Sequence, residues 1–560
     1  MEWRSSPWHF LRIFESMRSK MSYSCISAAV ILSFALLSCT RLDNTTPGPD
    51  MPGHTVVTVK GAVLNNGKGL RDVVVSDGYE VTTTDENGSF LLNSNMKSGY
   101  VFVSIPSGYM PESNGALPEF WHTVSSSDNT VYFNLKEEPN DSFRMIVSTD
   151  FHLADRYDSK DIIAFKEYYI PALQEESDSK DKPVYNIVLG DMTWDIFWNN
   201  LNLSRYKEMA RQFPVRTFHV IGNHDYDMSF SDDDKAGKEY VSKLGPLWYS
   251  FNIGKNHFVV LDDIVYKNDG QNRNHDTYVS EEQIEWLKKD LSYVPSGHRI
   301  FVAMHCTAFE IKGISANGVL NVGLNFDSAN KEQALLECLK GREVHFITGD
   351  THNNQSIPPE SGILSGENFY EHNVAAVCST WWWTWYLCKN HICRDGSEGG
   401  FLVFDDDGSD LSWKYRSLSY GYERQFHAYD MNEVKARIAS DPVYSSFYRA
   451  YPSRERYSGI PENAVLVNVW NWDPRWRVKV TENGTDLPVT WKMIEDPLHT
   501  LSYDAPRTAD NGEYTSSFRT LPASHIFMVR ASSATSTLEI EVEDQFGNIY
   551  RESMERPRFW

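Results

Sequence analysis

Asp150, His152, Asp191, Asn223, His224, His305, Asp350 and His352 are residues of the kind that bind divalent cations or move protons, and all follow short apolar runs. Two cations about 3.5–4 Å apart need one carboxylate between them and nitrogen or oxygen ligands around each. Asp191, after the tight turn that Gly190 permits, is the candidate bridge. Asp150 and His152 are spaced so that one turn can aim both at the first cation, with His352 completing its shell. Asn223 (through its amide oxygen), His305 and Asp350 would hold the second. Mixed imidazole and carboxylate donors suit Mn, Fe or Zn better than Ca. His224 stands beside a ligand without being needed as one, which suits it to protonate a departing oxygen. Asp225 either orients His224 or caps a helix.

The runs themselves are Met145–Thr149, Asn186–Gly190, Phe218–Gly222, Phe301–Met304 and Val344–Gly349. Their length and flanking turn residues predict sheet-core strands, and ligands gather beyond the carboxyl ends of such strands. Helix-like stretches at Asp161–Gln174, Ser204–Gln212, Glu281–Leu291 and Lys331–Lys340 alternate with them, giving an α/β domain over 143–417. A hairpin is expected at Tyr249–Asp262, and closing strands at Val374–Cys378, Phe401–Phe404 and Leu411–Tyr415. Asp195 and the pair Asp262-Asp263 read as solvated or turn residues, and His219 and His345 as core. Trp381, Trp382, Trp383 and Trp385 either wall the cleft or pack against the C-terminal region.

The ordered set Asp150-x-His152, Gly190-Asp191, Gly222-Asn223-His224-Asp225 and His305 resembles the calcineurin-like metallophosphoesterases. The resemblance implies a four-layer α/β sandwich, a dinuclear metal centre and phosphomonoesterase or phosphodiesterase activity. One element departs from the family pattern Gly-His-x-His, because this chain has Gly349-Asp350-Thr351-His352. A carboxylate at Asp350 adds negative charge, makes a weaker Lewis acid and favours harder metals. The alternative is a metal-deficient scaffold that binds a surface glycan or other ligand.

Residues 55–138 and 462–560 alternate in the period of strands and carry turn signals, which predicts two small all-β sandwich domains flanking the core. Residues 418–461 read as a connecting segment. The formal charge of −23 argues against nucleic acid as a partner. A phosphorylated small molecule, lipid or glycan remains compatible, since bound cations reverse the local sign. Arg18 and Lys20, the apolar run Ile26–Leu37 and the ending Leu36-Leu37-Ser38-Cys39 describe a signal peptide over 1–38. The residues before Met17 read as a long leader or a misplaced start. The ending resembles a bacterial lipoprotein box, which implies lipid on Cys39, a tether over 39–54, and an exported protein held on a bacterial membrane, the outer one, facing periplasm or exterior. Cys388 and Cys393 could close a short loop there, and Cys306 stands out as a thiol beside His305.

Overall fold

The computed structural model describes residues 56–156, 158–178, 181–268, 273–364, 366–382, 391–451, 457–511 and 519–559. The leader, Cys39, Cys388, Trp383 and Trp385 therefore lie outside the described residues, as does the Cys388–Cys393 loop closure.

Two mixed sheets form the core. In the first, Phe143–Ser148 pairs in parallel with Val184–Val188, which pairs in parallel with Arg216–His219. On its other side Gly400–Asp406 and Leu411–Ser417 run antiparallel. The second sheet sets Asn256–Val260, Arg299–Ala303, Glu343–Thr348 and Asn368–Asn373 in parallel, with Tyr249–Ile253 and Gln355–Ile357 antiparallel at its edges. The parallel strands are largely buried because both faces are covered.

Cross-strand register builds a ladder of rings through the second sheet. Phe251, Phe258, Phe301, His345 and Tyr370 are successive partners, with centroids 4.8, 4.6, 5.0 and 4.5 Å apart. Phe218 of the first sheet stacks on Phe251 at 3.9 Å, and Phe404 meets Phe301 edge-on at 5.2 Å. This aromatic layer fixes the two sheets face to face, so their carboxyl ends open on one cleft. His219 and His345 are core residues, as expected, at 4% and 1% exposure.

Helices cover the outer faces and complete four layers. Glu281–Leu291 starts at Ser280, whose side chain accepts from the Gln283 amide, and buries Ile284, Trp286 and Leu287. On the other side Lys160–Asp178 widens into a π turn at Phe165–Tyr169, just before Pro171, which cannot donate to the carbonyl four residues back. The expected strand at Val374–Cys378 does not form. The strand is Asn368–Asn373, and the apolar run after it is an irregular buried segment. It is apolar because it passes beneath the site, where the Val377 and Cys378 amides donate to the carbonyls of Thr149 and Asp150.

The N-terminal sandwich packs two sheets built on Val57–Asn65 and Tyr100–Val103. It docks on the core through Trp286 Nε1 to Ser76 Oγ at 3.0 Å, Trp248 Nε1 to the Gly78 carbonyl at 2.6 Å, and a bridge between Ile105 and Phe251. The C-terminal sandwich has two four-stranded sheets. The stretch 418–461 supplies one edge strand, Phe426–Asp430, and two helices, Met431–Ser440 and Pro442–Ala450. A helical segment, Pro497–Asn511, interrupts the sandwich between Thr490–Glu495 and Pro522–Arg530.

That domain is pinned by a fully buried pair. Arg556 Nε and Nη2 donate to the two oxygens of Asp430 at 3.0 and 2.9 Å, and Asp430 also caps Met431–Ser440. Removing the cation leaves a buried carboxylate without its counter-charge. Arg556→Met should therefore cost about 3–5 kcal/mol of stability, read by urea denaturation. A loss under about 1 kcal/mol would contradict the burial argument.

Candidate metal centre

Five strand ends deliver the candidate residues to one place. Asp150 and His152 follow Phe143–Ser148, Asp191 follows Val184–Val188, and Asn223 and His224 follow Arg216–His219. From the second sheet, His305 follows Arg299–Ala303, and Asp350 and His352 follow Glu343–Thr348. The backbone there is unusual. Asp150, His152, Asp191, Asp350 and His352 all have positive φ, between 44° and 62°. Left-handed backbone in non-glycine residues stores strain and clusters at functional sites. Pairing beyond the strand ends holds it: the Asp150 amide donates to Gly190 and the His152 amide to Asp191, at 3.1 and 2.9 Å. Gly190 and Gly222 permit the approach. A Cβ on Gly222 would lie 2.4 Å from Asp191 Oδ1, and one on Gly190 would lie 2.6 Å from His305 Nδ1.

The donor atoms form a continuous cluster. His152 Nε2 is 2.9 Å from His352 Nε2 and 3.3 Å from Asp150 Oδ1, and His352 Nε2 is 3.2 Å from the same oxygen. His305 Nε2 is 3.1 Å from Asn223 Oδ1 and 3.6 Å from Asp350 Oδ1. Asp191 Oδ2 joins the two halves, 3.4 Å from His152 Nε2 and 3.5 Å from His305 Nε2. All seven candidate ligands are brought together. Asp350 faces the cluster, and its amide donates to Asp150 Oδ2 at 3.0 Å. The Cys378 thiol lies within 4.8 Å of the His152 and His352 nitrogens, and burial pushes its pKa well up.

The donor set fits cations. His352 Nδ1 and His305 Nδ1 lie 3.0 and 2.7 Å from the carbonyls of Ser379 and Leu189. A carbonyl only accepts, so each Nδ1 carries a proton and turns its Nε2 toward carboxylates, an amide oxygen or another imidazole. Lone pairs crowded in this way need a positive centre among them. Without a cation a proton serves. Burial opposes a charged His305, yet Asp191, Asp150 and Asp350 raise it well above the ordinary imidazole value. His352 is raised against burial by Asp150. Burial brings His152 down to about 4, so it is neutral and ready to ligate. Burial also works against charge on Asp150 and Asp191, but the surrounding imidazoles hold both carboxyls below their usual range.

His224 sits at the edge of this cluster, its amide donating to Asp191 Oδ1 at 2.8 Å. The expected link from Asp225 to His224 is not what holds it. Asp225 instead accepts from the amides of Gly222, Met192 and Thr193 at 3.1–3.3 Å, tying the Gly222 turn to the Asp191 loop. The partner of His224 is Asp195, with Nδ1 and Oδ1 2.8 Å apart. Asp195 is thus buried rather than solvated, at 5% exposure, because the short 3₁₀ turn Asp195–Phe197 folds under the imidazole. Asp262 and Asp263 are buried too, contrary to the solvated reading. Asp262 accepts from Tyr226 Oη, and Asp263 accepts from the amides of His305 and Cys306 at 3.1 and 2.8 Å, which positions His305. Cys306 is buried, and that burial pushes its thiol well up, so it is an inert core residue.

Trp381 does wall the site. Its ring lies 4.0 Å from that of His152 and stacks on Trp194 at 4.4 Å. Trp382 is buried, and its Nε1 donates to the Phe151 carbonyl at 2.9 Å. Tyr503, from the helical segment of the C-terminal domain, packs with Trp194 and Ala154. Asp195, Trp194 and Tyr503 are the residues that sequence reasoning missed. Only Asp195, four residues after Asp191 on the same loop, carried any signal.

Comparison with known proteins agrees with this geometry. Residues 143–361 match the family model described as calcineurin-like phosphoesterase, and residues 57–138 and 371–550 match the models of its N-terminal and C-terminal parts. Among curated proteins none matches. Among solved structures, a dimetal phosphatase from Danio rerio is 15% identical, covering 49% of this chain and 96% of that one, with a TM-score of 0.33. A purple acid phosphatase from yellow lupin (Lupinus luteus) is 15% identical over 63% and 68%, TM-score 0.32. A 5'-nucleotidase from Candida albicans is 12% identical over 50% and 52%, TM-score 0.29. Likenesses this slight add nothing to the assignment, which rests on the family models and on the motifs they span. The chain belongs to the calcineurin-like phosphoesterases.

Proposed function

We propose that the protein is a metal-dependent phosphoesterase that hydrolyses phosphate mono- or diesters outside the cytoplasm. The observation that carries this reading is the position of Asp191, whose Oδ2 faces His152 Nε2 on one side and His305 Nε2 on the other. Asp150, His152 and His352 would hold one cation, Asn223, His305 and Asp350 the second, with Asp191 between them. Two such cations supply Lewis acidity and a water of lowered pKa. The remaining work belongs to side chains. His224 delivers a proton from Nε2 to the leaving oxygen, and Asp195 accepts from Nδ1, fixing the ring. Asp191 Oδ1 holds the His224 backbone against the cluster. A leaving-group acid has no use in a pure binding protein, which favours catalysis over the glycan-binding alternative.

The test is hydrolysis of aryl phosphate mono- and diesters before and after chelation. Activity should vanish with chelator and return with Mn. Turnover persisting in metal-free protein would overturn the reading.

Asp350 sets the second site's character. Asp350→His should shift bound metal from Mn toward Zn and move the acid limb of the pH–rate profile down by about one unit. Metal analysis and that profile check it, and no change in either contradicts the role. The substrate class is a phosphorylated small molecule, lipid or glycan. Export rests on Arg18, Lys20, the run Ile26–Leu37 and Cys39. Cys39→Ala should release the protein from the membrane fraction to the soluble one, and unchanged partition would refute the anchor.

A further inference from the structure

We infer that Arg156, Trp194, Trp381 and Tyr503 form a leaving-group subsite, one that selects phosphate esters whose leaving group joins a ring to a second anionic group. The inference rests on the phosphoesterase reading above, and its test separates the two.

The aromatic pair stands where the leaving group must depart. Trp381 and Trp194 lie 6.2 and 6.3 Å, ring to ring, from His224, the group placed to protonate the leaving oxygen. Trp381 also covers His152 and His352, at 4.0 and 5.2 Å, and so forms the wall on that side of the cluster. The Arg156 guanidinium lies 4.2 Å above the Trp194 ring and 4.4 Å above Phe197. Arg156 and Trp381 are only partly buried, so each keeps some surface exposed. Trp194 is buried under Trp381 and Arg156, so a planar ring or sugar packs against the exposed part of Trp381 while the guanidinium recognises carboxylate or phosphate. In a chain of net charge −23, a cation held at this spot is a specific feature and not background.

The wall is built at a cost in backbone strain. Ser379, Trp381 and Trp382 have φ of 52°, 58° and 63°. Sparse conformations at a cleft persist where the surroundings over-determine them. Here Trp382 is pinned to Phe151, and Thr380 Oγ1 is 2.6 Å from His499 Nε2. His499 lies one helical turn before Tyr503 on the Pro497–Asn511 segment. The C-terminal domain thereby holds the Trp381 loop with one residue and backs the wall with another, the buried Tyr503. Arg507 donates to the Tyr503 hydroxyl, and both Arg507 and Arg156 oppose the rise that burial imposes on that phenol. Arg156 lies over Trp194 and Tyr503 packs with the same residue, so the two share one wall.

A matched pair of substrates tests this on the full-length metal-loaded protein: 4-carboxyphenyl phosphate and its methyl ester, which keep the ring and differ in the remote charge. The wild type should prefer the charged ester by about tenfold in kcat/KM. In Arg156→Met that ratio should fall to within about twofold of unity. Trp381→Leu should lower kcat/KM for both aryl esters at least about tenfold more than for glycerol phosphate, which has no ring. Binding of the leaving alcohol itself, 4-hydroxybenzoate against its methyl ester, is read by tryptophan fluorescence and needs no turnover. The same Arg156-dependent preference is expected there. Preferential binding without any hydrolysis would sink the phosphoesterase reading and leave the subsite standing. Hydrolysis with a ratio that Arg156→Met leaves unchanged would overturn the subsite, as would equal binding of the two alcohols.

Discussion

Replacing Asp191 with asparagine should reduce turnover by on the order of 10³-fold or more and remove bound metal from both halves of the cluster. The substitution keeps the shape of the side chain and one carbonyl oxygen, so the His224 amide, now bonded to Asp191 Oδ1 at 2.8 Å, retains an acceptor. What is lost is the charge on the oxygen that faces His152 at 3.4 Å and His305 at 3.5 Å. Asp150 makes its close contacts with His152 and His352, and Asp350 makes its own with His305, so neither half can compensate. The effect can be separated from misfolding through linkage: added Mn should raise the melting temperature of the wild type and not that of Asp191→Asn. Equal stabilisation of both proteins by Mn, or turnover within tenfold of wild type, would mean that Asp191 is not the bridge.

The strand ends were legible because the information is local. Each of Asp150, Asp191, Asn223, His305 and Asp350 directly follows an apolar run of buried-strand length, and parallel pairing then brings those ends together within each sheet. The left-handed backbone at Asp150, His152 and Asp350 was not legible, because sequence signals that conformation chiefly through glycine. Asp225 was misread for a related reason. It adjoins His224 in the chain, yet neighbouring side chains point apart, and its carboxylate turns back to the Gly222 amide of its own turn and to the amides of Met192 and Thr193. Asp195 and Asp263 look like surface acids in sequence and are buried. Which acid ends up beneath an imidazole or against the amide of His305 depends on how loops from different strands stack. Tyr503 lies furthest out of reach, in a segment of the chain that carries no ligand pattern and meets Trp194 only through domain docking.

Removing His224 should expose its role through the leaving group. His224→Asn is expected to slow hydrolysis of an alkyl phosphate by about 10²–10⁴-fold, the usual worth of a positioned acid. The same variant should affect 4-nitrophenyl phosphate far less, because that phenolate departs without a proton. A His224 nitrogen lies within 4.8 Å of donor atoms of His152 and Asp191, yet the seven candidate ligands contact one another directly, so metal content should remain near the wild-type level. Asp195→Asn should show a weaker form of the same pattern, on the order of tenfold on the alkyl ester. Asp195 acts through His224 and touches no substrate, so it is a positioning residue, and its removal should lower kcat for the alkyl ester while leaving KM within about twofold of wild type. Asp195→Glu should restore part of the rate by returning a carboxylate near Nδ1, now 2.8 Å from Oδ1. If alkyl and nitrophenyl esters slow equally in His224→Asn, proton delivery is not its task. In that case the imidazole would serve both esters alike, as a donor to the phosphoryl oxygens and not to the departing one.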